Sequence, residues 1–203
     1  DEAIRITCEI GDALEYAHGH GVIHRNIKPE NVLLPGGHAL VADFGIALAV
    51  SRSDGATRMT ETGMSLGTPT YMSPEQAMGA REVDARTDVY SLGCVLYEML
   101  VGEPPFVGPT AQSIVAKVIT ESPKSLTDQR RSVPPHVDEA VQTALEKLAA
   151  DRFVSAAAFS EALKNEGAAL LHSSAHRPSA RGLRSRSNGI KWGSAIIVAA
   201  ALM

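Results

Sequence analysis

His24, Arg25, Asn26, Lys28, Glu30 and Asn31 lie within eight consecutive residues, and Asp43 follows Asn31 by twelve positions. Lys28 can offset negative charge, and the side-chain oxygens of Asn31 and Asp43 are hard donors of the kind Mg²⁺ takes. Asn26 can hydrogen-bond a hydroxyl, but an amide cannot take its proton as a carboxylate does. Other chemistries find little support. Cys8 and Cys94 are far apart in helical patterns and read as buried, reduced thiols. No CxxC or Cys/His cluster suggests zinc. There is no P-loop, and Gly19-His20-Gly21 lacks the third glycine of a nucleotide-binding turn.

The elements that must position these groups are legible in the apolar spacing. Ile6, Ile10, Ala13, Leu14 and Ala17 recur at helical intervals, which predicts a helix over residues 2–18 ended by Gly19 and Gly21. Val32-Leu33-Leu34, the turn Pro35-Gly36-Gly37 and Leu40-Val41-Ala42 read as a short hairpin. It would hold Asn31 at one end and Asp43 at the other, bringing their oxygens together. Residues 46–72, rich in Ser, Thr, Gly and Asp, read as a long functional loop. Residues 87–101 are apolar on nearly every face, which predicts a buried helix stopped by Gly102 and Pro104-Pro105. Further helices are expected near 110–120, 136–149 and 155–166.

Two motifs carry a family resemblance. His24-Arg25-Asn26-Ile27-Lys28-Pro29-Glu30-Asn31 resembles the catalytic loop of a protein kinase, and Asp43-Phe44-Gly45 resembles its metal-binding loop. Gly67-Thr68-Pro69-Thr70-Tyr71-Met72-Ser73-Pro74-Glu75 is similar to the end of a kinase activation segment, with Ser-Pro-Glu standing for Ala-Pro-Glu. The run from Asp84 to Gly93 resembles the start of the large buried helix, and Ala150-Asp151-Arg152-Phe153 the late Arg motif. The resemblance covers roughly residues 1 to 166 and is to bacterial, membrane-anchored serine/threonine kinases.

That resemblance implies a fold and roles. The fold is a protein-kinase-like C-terminal lobe, mainly α with a short β-hairpin at the catalytic loop. No Gly-rich loop, strand Lys or helix Glu of an N-terminal lobe has a candidate in this chain, so that lobe is expected to be absent from it. Asn26 stands at the catalytic-base position, where the family carries Asp. Lys28 is the catalytic-loop cation, and Asn31 and Asp43 are the Mg²⁺ ligands that with Lys28 serve bound ATP. Thr68 lines the peptide-substrate site; with Lys28 it is the serine/threonine choice. Arg25 would receive an activation-loop phosphate, with Thr57, Thr60, Thr62 and Ser65 as the candidate acceptors; a phosphate adds about −2 charge. His24, Phe44, Gly45, Asp88 and the pair Glu75 and Arg152 are structural. Asp88 should accept backbone hydrogen bonds from the catalytic loop.

Charge and hydropathy divide the chain. Residues 1–166 hold 14 Lys and Arg against 23 Asp and Glu. Residues 167–203 hold Arg177, Arg181, Arg184, Arg186 and Lys191 and no acid. Residues 167–189 read as a basic, flexible juxtamembrane linker. Residues 190–203 turn apolar after Trp192 and read as the start of a truncated transmembrane helix. The basic stretch lacks the interleaved aromatics of a nucleic-acid binder. The chain starts at Asp1 without a signal peptide and reads as a piece of a longer protein.

The expected function is ATP- and Mg²⁺-dependent phosphoryl transfer to Ser or Thr of a protein substrate. Asn26 should impair it, since losing a general base typically costs on the order of 10² to 10⁴ in rate. The alternatives are a non-catalytic pseudokinase scaffold or binding module, and a remnant without a role of its own. Expected partners are a Ser/Thr protein substrate, the cell membrane through a single C-terminal span with the kinase domain cytoplasmic, and a second copy in a kinase homodimer.

Overall fold

The computed structural model describes residues 2–44 and 69–165. Within them, helix α1 spans Glu2–Gly19 and buries Ile6, Ile10, Leu14 and Ala17 along one face. The chain then runs without regular structure to a 3₁₀ turn at Pro29–Asn31 and into strand β1, Val32–Leu33. A second 3₁₀ turn at Pro35–Gly37 leads to strand β2, Leu40–Val41. The two strands pair antiparallel, with Val32 opposite Val41 and Leu33 opposite Leu40. Gly36 and Gly37 take the left-handed backbone (φ 60° and 86°) that the tight turn requires.

Six more helices follow among the described residues: α2 Pro74–Ala77, α3 Arg86–Val101, α4 Ala111–Thr120, α5 Leu126–Gln129, α6 Pro135–Ala144 and α7 Ala156–Lys164. The axis of the body is α3, buried without interruption from Thr87 to Tyr97. Gly102 closes it with φ 89°, a left-handed cap whose N–H donates to Glu98 O (2.7 Å). Helices α1, α6 and α7 pack around α3, and the core joins Leu14, Leu92, Leu96, Val141, Phe153 and Phe159. Each such Leu or Phe contributes roughly 1.5–3 kcal/mol relative to exposure. Glycine sets the closest approach: a Cβ on Gly93 would lie 3.1 Å from Ala144 Cβ and 3.3 Å from Leu145 Cδ2.

The structure corrects two readings of the sequence. The helix expected over 136–149 ends at Ala144. Its continuation is lost to side chains that claim the next carbonyls: Arg152 donates to Glu146 O (2.8 Å) and Lys147 O (3.1 Å). The Lys147 ammonium meanwhile reaches Val118 O at the end of α4 (2.7 Å). The four-residue helices α2 and α5 were not anticipated, being too short for any periodicity. α2 is instead held by a capping box in which Ser73 and Gln76 satisfy each other's backbone. No helix among the described residues is long and apolar enough to cross a membrane; the stretches 167–189 and 190–203 lie outside those residues.

Candidate active site

The loop between α1 and β1 is shaped from below by one carboxylate. Asp88, fully buried in the first turn of α3, accepts the backbone N–H of His24 at Oδ2 (2.8 Å) and of Arg25 at Oδ1 (2.7 Å). His18, in the last turn of α1, donates Nε2–H to the same Oδ2 (2.8 Å). The helix N-terminus adds its own attraction for an anion. These bonds hold Arg25 at φ 66°, a left-handed conformation that costs a non-glycine residue about 1–3 kcal/mol.

His24 fixes the next residue. Its buried ring donates Nε2–H to Ala42 O (2.9 Å), which leaves Nδ1 bare to accept the N–H of Asn26 (3.2 Å). From the other side, Asn31 Nδ2 donates to Asn26 O (2.8 Å). The backbone of Asn26 is thus clamped at both ends while its side chain stays exposed. Asn31 is itself buried, and spending its amide N–H on Asn26 leaves its carbonyl oxygen as the acceptor to offer a cation.

The hairpin brings the second oxygen donor to the same end. Ala42 N–H donates to Asn31 O (2.8 Å), extending the ladder by one bond just before Asp43. Asp43 is exposed and takes φ 58°, a second left-handed non-glycine residue. Phe44 packs on the His24 ring at 4.6 Å between centroids. Among the described residues, no three His, Cys, Asp or Glu side chains gather as a metal site. The donor set of Asn31 and Asp43 nevertheless suits Mg²⁺, which keeps several waters and takes one or two protein oxygens plus phosphates.

Lys28 lines a small cleft of about 100 Å³ with Arg25, Asn26, Tyr71, Met72 and Gln76. Gln76 and Tyr71 were missed from the sequence as site residues. The Gln76 amide closes the α2 cap through its oxygen (3.1 Å to Ser73 N) and donates through Nε2 to Arg25 O (2.8 Å). The Ser73-x-x-Gln76 spacing was the available signal for the cap; nothing local signals the contact to Arg25. Tyr71 donates its hydroxyl to Glu98 Oε2 (2.6 Å), and Ser91 Oγ donates to Tyr71 O (2.7 Å). Burial, reinforced by the Glu98 bond, raises the Tyr71 phenol well above its ordinary value.

Below the cleft, Arg152 grips Glu75 with two parallel bonds, Nη1 to Oε1 (2.8 Å) and Nη2 to Oε2 (2.7 Å). Thr87 Oγ1 adds a third donor to Glu75 Oε1 (2.6 Å). Burial works against the Glu75 anion, but the Arg152 and Thr87 bonds outweigh it and hold the carboxyl down at about 2. Gly45, Thr57, Thr60, Thr62, Ser65 and Thr68 lie outside the described residues.

The geometry is thus a helical body carrying a two-strand ladder, with a buried aspartate under a strained basic loop. A family model for the protein kinase domain matches residues 1–166. Serine/threonine-protein kinase PknB of Mycolicibacterium smegmatis is 44% identical over 156 residues, 76% of this chain and 24% of that protein. PknB of Mycobacterium tuberculosis H37Rv is 42% identical over 156 residues, with the same shares. The probable serine/threonine-protein kinase SCO3848 of Streptomyces coelicolor is 42% identical over 157 residues, 77% of this chain and 23% of that protein. The chain belongs to the protein kinase family, in its bacterial serine/threonine branch. It spans about a quarter of the length of the curated relatives it matches.

Proposed function

We propose that this chain is the C-terminal lobe of a membrane-anchored serine/threonine kinase whose phosphoryl transfer to protein Ser or Thr is impaired at Asn26. Mg²⁺ and ATP, when bound, supply the transferable phosphoryl group and its charge neutralisation. Asn31 and Asp43 would hold the metal, and Lys28 would face the phosphates. Asn26 orients the substrate hydroxyl by hydrogen bonding but takes no proton from it. The observation that carries this reading is the clamped backbone of Asn26, bonded at both its N–H and its C=O, in a residue whose amide side chain cannot serve as a carboxylate base. In this reading ATP binding also depends on an N-terminal lobe, residues 167–189 form a basic cytoplasmic linker, and residues 190–203 begin a membrane span.

The test is phosphoryl transfer from labelled ATP to a generic Ser/Thr protein, comparing the full-length protein with Asn26→Asp. The Asp version should turn over faster by on the order of 10²- to 10⁴-fold. Equal turnover would sink the claim of impairment.

A second reading, a non-catalytic scaffold, is favoured by one feature. The supports of the loop, Asp88, His24 and Gln76, act on backbone groups and are indifferent to the side chain at 26. The surface is therefore formed whether or not transfer occurs. Partner binding that survives Lys28→Ala and Asp43→Ala would favour the scaffold over the enzyme.

A further inference from the structure

One ion pair on α1 ties that helix to the turn of the hairpin. Glu9 accepts the backbone N–H of Ala39 at Oε2 (2.7 Å), and Arg5 Nη1 donates to its Oε1 (2.5 Å). Arg5 also donates Nη2–H to Gly37 O (2.7 Å), and Glu2 steadies the same guanidinium through bonds of 2.5 and 3.1 Å. The pair therefore grips the backbone on both sides of His38, whose Nδ1 lies 3.4 Å from Glu9 Oε1. The Ala39 bond is the main influence drawing the Glu9 carboxyl below its ordinary value. Spaced four apart on a helix, Arg5 and Glu9 would read as an ordinary surface pair. Their bonds to backbone 32 and 30 positions further on set them apart.

The hairpin needs such a hold. Each strand is two residues long, and a two-stranded ribbon by itself is marginal in water. Burial secures one face only: Val32, Ala39 and Val41 rest against the core, while Leu33 and Leu40, the pair beside the turn, are exposed. The turn's own bonds, Gly37 N–H to Leu34 O and His38 N–H to Pro35 O, are long at 3.2 Å each. At the opposite end of the ladder, Ala42 N–H bonds Asn31 O (2.8 Å) just before Asp43.

We propose that Glu9 and Arg5 are positioning residues for the metal donors: they fix the turn from α1 and, through the ladder, set how Asn31 and Asp43 approach each other, on the reading above that these two hold Mg²⁺.

In the full-length protein, Glu9→Ala should quicken hydrogen exchange of the Ala42 amide several-fold while the Leu92 amide, in the buried α3, keeps its rate. Mn²⁺ titrated at saturating ADP, and followed by its electron paramagnetic resonance signal, should bind about tenfold more weakly, the low end of what losing a partner behind a metal ligand costs. Alanine is the better helix former, so α1 itself is not the source of either change. Glu9→Gln keeps an acceptor for the Ala39 N–H and should recover most of both losses. An Ala42 rate equal to that of the unsubstituted protein overturns the proposal. So does an unchanged Mn²⁺ affinity in Glu9→Ala when Asp43→Ala weakens it. An Asp43→Ala variant that binds Mn²⁺ as before sinks the metal reading itself, and the Ala42 rate then decides the hold of α1 on the hairpin. Should the Leu92 amide quicken too, Glu9→Ala is unfolding, and Arg5→Met, which removes the donor to Gly37 O, decides by the same two readings.

Discussion

Asp88 satisfies three donors with two oxygens, and all three belong to segments distant in sequence. An asparagine there would keep one acceptor and turn an NH₂ group toward N–H groups. At least one buried donor would lose its partner, at roughly 1–3 kcal/mol, and the charge-assisted strength of the others would go with it. Asp88→Asn should therefore lower the urea midpoint by the equivalent of about 3 kcal/mol with an unchanged m-value. In the same variant the amides of His24 and Arg25 should lose their protection from hydrogen exchange. A variant with normal protection at both amides would show that the strained loop has another support. Asn26→Asp is the opposite kind of change: its side chain is exposed and adds no buried charge, so activity should respond while stability does not.

At the scale of elements, the interlock of α3 and α6 rests on the absence of one methyl group. Gly93→Ala would place a Cβ 3.1 Å from Ala144 Cβ, between two helices with little room to part. Overpacking of this kind costs typically about 1–3 kcal/mol, and a thermal melt should show the loss. A melting temperature equal to that of the unsubstituted protein would mean the helices separate without penalty. This contact also marks what the sequence reveals and what it withholds. Helices α1 and α3 were legible because one buried stripe and one all-round apolar run leave periodic traces; both were anticipated to within a residue. The hairpin was legible from its Pro-Gly-Gly turn. The end of α6 was not, because the Arg152 side chain that takes its next carbonyls enters from six residues further on. At the site, Lys28, Asn31 and Asp43 stood out by type and spacing. Gln76 did not, since its bond to Arg25 spans 51 positions and no local pattern encodes it.

The whole molecule sums these groups in its response to pH. Glu75 sits at about 2 in the fold against 4.5 ordinarily, so its contribution is complete above 4.5 and lost as pH falls toward 2. Lys147 is pushed down by burial to about 8 from 10.5. The unfolded chain then binds the extra proton between those values, and this lysine alone would make stability rise there. Five groups oppose it: burial raises the thiols of Cys8 and Cys94 and, as the largest influence, the phenols of Tyr71, Tyr90 and Tyr97. Above pH 9 the unfolded chain releases protons that the fold retains, so stability falls. Urea denaturation across pH should give a plateau above about 5, a decline below it, and a fall that begins only above about 9, where the thiols and phenols outweigh Lys147. In an Arg152→Met variant the acid limb should flatten; an unchanged limb would assign it to other carboxylates.

Asp88 also imposes an order on synthesis. Its carboxylate lies 63 residues after Arg25, so the basic loop leaves the ribosome well before the group that shapes it exists. At about 5–20 residues per second, that interval lasts roughly 3–13 s. Through it the nascent loop lacks the acceptor that holds its left-handed turn, and the loop takes its final shape only once the buried helix has been made.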